Sequence, residues 1–263
     1  MNAPLGVVVD LDDTLYPQSD YLAGAAVAVG AAATARGLDG DAVHAALVAE
    51  LAAGSDAGGT IDRALLATGV PVADLPALVP PLVVAFTRHA PARLTPYPGV
   101  EEALRSLAAA APLACLTDGN PTIQDAKLAA TGLGPLLPVV VVTDRLDGRG
   151  TRKPHPAGLL AVAERLGVPA QRLLVIGDRP GKDVAVAAAV GARAIRIRQG
   201  EYADAPDVPL PWAVAGTFPE AAAIALRALA APPDRVNPLQ EPRRPADDVL
   251  TAPAPSLPRG SVR

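Results

Sequence analysis

The chain has 263 residues, room for one large domain or for a core with an insert and a tail, and half of them are hydrophobic, ample for a buried core. Aromatic residues make up only 3%, so Ala, Val and Leu must do most of the filling. A formal net charge of −4 lacks the basic excess of a nucleic-acid binder, and a single cysteine, Cys115, excludes an intrachain disulfide and fits a reducing compartment.

From Met1 the sequence runs directly into Gly6-Val7-Val8-Val9-Asp10 with no basic leader, and the longest apolar stretch, residues 22–35, is Ala-rich and too short to cross a bilayer. The expectation is a soluble cytoplasmic protein with neither a membrane nor a nucleic acid as partner. Residues 6–10 are the first of five short Val/Ile/Leu-rich runs; the others are 113–118, 139–144, 173–178 and 192–198. Continuous apolarity suits strands buried on both faces of a parallel sheet. Between them lie segments with helical spacing at 100–110, 122–131, 156–166 and 181–190. Such alternation implies right-handed crossovers and a doubly wound α/β sheet. Residues 212–215 make a weaker sixth strand, followed by a helix over 219–230.

One stretch breaks the alternation. Residues 16–93 are helical in pattern throughout, punctuated by Gly37, Gly54, Gly58-Gly59, Gly69 and Pro71, and read as about four helices inserted after the first strand; Pro96-Tyr97-Pro98-Gly99 marks the return. The expected organisation is a core of residues 1–15 and 95–230, an all-α insert of 16–94, and a Pro-rich, disordered tail of 231–263.

Four of the five strong runs close in an aspartate: Asp10, Asp118, Asp144 and Asp178. One strand-end aspartate is an ordinary turn former or helix cap. Four at the carboxyl edge of a parallel sheet, where ligands bind, repel one another unless a cation sits among them, and hard oxygen ligands on loops suit Mg²⁺. In Asp10-Leu11-Asp12-Asp13-Thr14, residues 10 and 12 project to the same side of an extended chain. Asp10 then stays ionised against a metal and attacks phosphorus, while Asp12, beside other negative charge, is expected to hold a proton at a raised pKa and pass it to the leaving oxygen.

Asp10-Leu11-Asp12-Asp13-Thr14 resembles the first motif of the haloacid dehalogenase superfamily. Thr117-Asp118-Gly119-Asn120 is similar to its second, Lys153-Pro154 to its third, and Gly177-Asp178-Arg179-Pro180-Gly181-Lys182-Asp183 to its fourth. The resemblance covers roughly residues 5–230, and the helical insert matches a cap placed after strand one. It implies a phosphatase with Asp10 as nucleophile, Asp12 as acid/base, and Thr117 and Lys153 as further catalytic groups. Thr117, Asp118, Gly119 and Lys153 would hold the phosphoryl group. The implied metal set for Mg²⁺ is Asp10, Asp12 through its carbonyl, Asp178 and Asp183, the last holding a metal-bound water or Lys153. The implied partner is a small phosphorylated metabolite: a sugar phosphate, a phosphoglycolate-like acid or a nucleotide. Asp12 favours phosphate over carbon–halogen chemistry, because a halide leaves without a proton.

A phosphomutase sharing the same motifs, and a non-catalytic phosphate- or partner-binding module, are the alternatives. Gly177 to Lys182 has three residues between its glycines, one short of a P-loop. His44, His89 and His155 show no shared-metal spacing, Cys115 reads as core, and Asp144 and Asp147 as ordinary loop carboxylates. In the insert, Arg63, Arg88, His89 and Arg93 read as solvated, and only Tyr16 and Tyr21 stand near its entry as stacking surfaces for a base.

Overall fold

The computed structural model describes residues 4–231. The expected tail, residue 231 apart, lies outside them. Six strands, β1 (Gly6–Val9), β2 (Leu113–Thr117), β3 (Val139–Val142), β4 (Leu173–Gly177), β5 (Arg193–Ile197) and β6 (Ala213–Ala215), form one sheet in the order β3-β2-β1-β4-β5-β6. All neighbours are parallel, with Val8 opposite Ala114 on one side and Val175 on the other. This is the doubly wound α/β sheet expected from the alternation, and the weak sixth strand is present as three residues.

Successive side chains of a strand point to opposite faces, so each strand feeds two cores. Val7, Val9, Cys115, Ile176 and Ile195 pack beneath α5 (Val100–Ala110), α6 (Pro121–Thr131) and α10 (Phe218–Ala230). Val8, Ala114, Leu116, Val141 and Val175 pack beneath α8 (Ala157–Leu166) and α9 (Ala185–Ala189), while α7 (Asp144–Asp147) is a single turn after β3. With one layer of helices on each face, the apolar strands are buried on both sides, which is what their unbroken apolarity requires. The helix expected over 181–190 starts differently: Pro180–Val184 form a wider π-helical turn before α9.

Between β1 and α5 stand α1 (Gln18–Thr34), α2 (Gly40–Ala53), α3 (Thr60–Ala67) and α4 (Leu75–Thr87). They share a small-residue core of Ala26, Val29, Ala33, Leu47, Leu65 and Leu82. Glycines let α1 lie close on α2: a Cβ at Gly30 would sit 2.9 Å from the Gly40 carbonyl oxygen. Among the described residues no helix is long and apolar enough to cross a membrane.

Candidate active site

The strand order reverses between β1 and β4, the place where ligands enter an open parallel sheet. Asp10 follows β1 and Asp178 follows β4, so neighbouring strands deliver both carboxylates to that crevice. Asp183 joins them from the π-helical turn. Oxygens of Asp10, Asp178 and Asp183 lie within 4.8 Å of one another, and all three residues are buried. Their approach depends on Gly177: a Cβ there would overlap the Asp183 carboxyl group.

Lys153 partly balances this charge. Its Nζ donates to Asp10 Oδ1 at 2.6 Å, to Asp183 Oδ1 at 2.7 Å and to the Leu116 carbonyl at 3.3 Å. Burial works against the ammonium, yet Asp10 and Asp183 raise its pKa well above the usual lysine range. Three carboxylates against one lysine leave an excess of negative charge. Burial first, and then Asp183 and Asp12, outweigh Lys153 and push Asp10 up to about 7. Asp178 is raised by burial and by its neighbours Asp183 and Asp10. A buried, oxygen-only cluster whose carboxylates resist ionising together fits a hard divalent cation, which would remove that penalty.

Asp12 corrects a sequence expectation. Its carboxylate receives Lys127 Nζ at 2.7 and 2.8 Å, the Tyr16 hydroxyl at 2.6 Å and Gln124 Nε2 at 3.0 Å. Burial alone would raise its pKa, but Lys127, Tyr16 and Gln124 together lower it. Counting the neighbouring carboxylates predicted the opposite sign because it left out Lys127, itself only 3% exposed on α6. Gln124 also donates to the Thr117 hydroxyl, so one helix face fixes both Asp12 and Thr117.

Asp118 and Gly119 line the same cavity as Asp10 and Thr117. The Asp118 carboxylate is engaged by protein groups: Oδ1 accepts from the Thr143 hydroxyl at 2.9 Å and the Lys153 amide at 3.0 Å, and Lys182 Nζ stands 3.3 Å from Oδ2. It ties the strand-two loop to the backbone of Lys153. Asp144, read from sequence as an ordinary loop carboxylate, makes a two-pronged pair with Arg152 at 2.6 Å on each arm and so braces the residue before Lys153. Asp13 adopts a left-handed φ of 52° and accepts from the amides of Gln18 and Glu201 at 2.9 and 3.1 Å, fixing the exit of the chain into α1.

The cavity over these groups measures about 310 Å³ and is roofed by the 55–61 segment around the α2–α3 loop. Neither tyrosine offers a free stacking face of the kind expected for a base. Tyr16 is fully buried against Asp12, and the Tyr21 ring carries Lys127 at 4.9 Å and His89 edge-on at 5.3 Å. Arg63 pairs with Glu50 at 2.5 Å, away from the cavity lining. Sequence reasoning missed Gln124, Lys127, Asp56 and Arg179. A signal for the first pair existed: both sit three residues apart on one face of a helix that otherwise turns that face inward.

Residues 5–191 match the model of the haloacid dehalogenase-like hydrolases. The chain belongs to that family. It is 33% identical over 204 residues to a glyceraldehyde 3-phosphate phosphatase of Methanopyrus kandleri, covering 75% of this chain and 85% of that one. It is 32% identical over 117 residues to the phosphoglycolate phosphatase of Escherichia coli, covering 44% and 45% of the two chains. Among solved structures, a family hydrolase of Deinococcus radiodurans with bound phosphate and sodium superposes with a TM-score of 0.58 at 26% identity, over 88% of this chain and all of that one.

Proposed function

We propose that this hydrolase is a magnesium-dependent phosphomonoesterase acting through an aspartyl-phosphate at Asp10 on a small soluble phosphorylated metabolite in the cytoplasm. The observation that carries it is the buried Asp10 carboxylate at the strand switch point, held 2.6 Å from Lys153, with Asp12 two residues on. Relatives named for glyceraldehyde 3-phosphate and phosphoglycolate support the substrate class.

In this reading Asp10 attacks phosphorus, and the ester P–O bond breaks with its electron pair leaving on the alcohol oxygen. Asp12 gives that oxygen a proton. Bringing a phosphoryl dianion beside Asp12 raises its proton affinity above that of the ligand-free state, where Lys127 keeps it ionised. A water then attacks phosphorus, Asp12 takes its proton, and the Asp10–phosphorus bond breaks to release phosphate. Lys153 and the Thr117 hydroxyl hold the phosphoryl oxygens as charge builds on them. Asp10, Asp178, Asp183 and the Asp12 carbonyl would hold Mg²⁺, which supplies charge neutralisation when bound.

The test is phosphate release from an aryl phosphate, 2-phosphoglycolate and glyceraldehyde 3-phosphate with and without Mg²⁺. We expect turnover that needs Mg²⁺ and that Asp10→Asn lowers by at least about a thousandfold. Metal-independent turnover, or activity untouched by Asp10→Asn, would falsify the proposal.

A further inference from the structure

The loop between α2 and α3 reaches down to the catalytic edge of the sheet and places one carboxylate, Asp56, between two core cations. Asp56 Oδ2 accepts from Arg179 Nη2 at 3.0 Å and from Lys182 Nζ at 2.5 Å. Burial disfavours the Asp56 anion, but Lys182 and Arg179 lower its pKa, so it is ionised there. Arg179 is set in place independently of the loop. Its guanidinium lies over the Tyr202 ring at 4.0 Å, and Nη2 donates to the Tyr202 hydroxyl at 2.6 Å. Lys182 is held from below by Asp118 at 3.3 Å. Both cations adjoin site carboxylates in sequence and line the cavity that contains Asp10 and Lys153.

Resting on the phosphatase reading above, we propose that Arg179 and Lys182 form a second anion subsite beside the phosphoryl position. In the ligand-free chain Asp56 occupies it as an internal stand-in for a substrate carboxylate. The preferred substrates are then phosphomonoesters that carry a carboxylate close to the ester oxygen. Two points favour a carboxylate occupant. The seat already holds one, bridged through a single oxygen by both cations. The loop that supplies it is otherwise tied to the core through Ser55, whose amide and hydroxyl donate to Glu201, and Gly58-Gly59 follow directly and let it give way. A substrate carboxylate would replace Asp56 charge for charge, and like-charge repulsion would drive the loop off as it enters.

The experiment compares 2-phosphoglycolate with 2-hydroxyethyl phosphate, which has a hydroxymethyl group in place of the carboxylate, on the full chain with Mg²⁺. The wild type should favour the acid in kcat/KM by at least about tenfold, the scale of one charge-assisted hydrogen bond. Arg179→Met and Lys182→Met should each bring that ratio towards one. Asp56→Asn, which removes the internal competitor, should lower KM for the acid more than KM for the alcohol. The subsite is overturned by a wild-type ratio near one, which needs no variant to measure. It is also overturned by a ratio that survives both cation substitutions, or by Asp56→Asn raising both KM values equally, as a mere brace would. An aryl phosphate separates the two levels: if it is hydrolysed while the ratio is near one, the subsite alone falls. No phosphate release from any of the three esters removes the phosphatase reading and the subsite with it.

Discussion

Gly177 and Asp183 show how little space separates an assembled site from a broken one. Gly177→Ala leaves the strand intact, since alanine is tolerated there by backbone geometry, but its Cβ would displace the Asp183 carboxyl and loosen Lys153 with it. We expect kcat/KM to fall by about a hundredfold or more, with unchanged circular dichroism. Asp10 supplies a pH prediction. Its pKa is raised from 3.8 to about 7, so the metal-free fold loses stability as pH rises from about 4 towards 7 and the buried group must ionise. A divalent cation competes with that proton. Added Mg²⁺ should therefore raise the melting temperature more at pH 8 than at pH 5. Equal increments at both pH values would contradict the assignment of Asp10 as a ligand. Cys115, buried in the core on β2 with its thiol pushed up by burial, should resist alkylation in the folded chain and react on unfolding.

At the scale of elements, the Asp144–Arg152 pair ties down the third-motif loop beside the bond from the Lys153 amide to Asp118. Arg152 lowers the Asp144 carboxyl below its usual range, although burial works the other way. A depressed folded pKa stabilises above the unfolded value and loses that contribution as pH falls through the folded one. Asp144→Asn should thus cost roughly 1–3 kcal/mol at pH 7, by urea unfolding, and progressively less below about pH 4. The elements themselves were readable in the sequence because apolar runs ending in aspartate report a buried strand and its site edge together. Asp10 and Asp178 were legible for that reason, and Lys153 through the motif it shares with Pro154. Lys127 and Gln124 were legible only as polar residues on an inward helix face, not as partners of Asp12, which they reach across 115 and 112 residues. The sign of the Asp12 shift failed with them. Asp56 was illegible for a different reason: its partners lie more than 120 residues away, and an aspartate between glycines reads as a turn.

For the whole molecule, two helical layers and one sheet leave the central strand with no exposed face. Val8 is fully buried between β2 and β4 and packs towards α8 and α9. Val8→Ala should cost about 2–3 kcal/mol of stability while leaving the pH profile of activity in place. A changed profile would mean that strand packing and site geometry are more tightly joined than the separate cores suggest. The helical insert has its own core of Ala, Val and Leu, and Leu22 and Phe86 pack against both that core and the sheet's.

The strand order has a kinetic consequence. β1 lies at the centre of the sheet, yet its neighbours begin at residues 113 and 173. During synthesis, the strand bearing Asp10 must wait for more than a hundred residues before it can pair at all, and for Lys153 before its carboxylate meets a counter-charge. The insert, built from contacts close in sequence, can settle in the meantime. Folding of the sheet is therefore a late, long-range event, and the carboxylates of the site stay in water until the structure that must bury them is nearly complete.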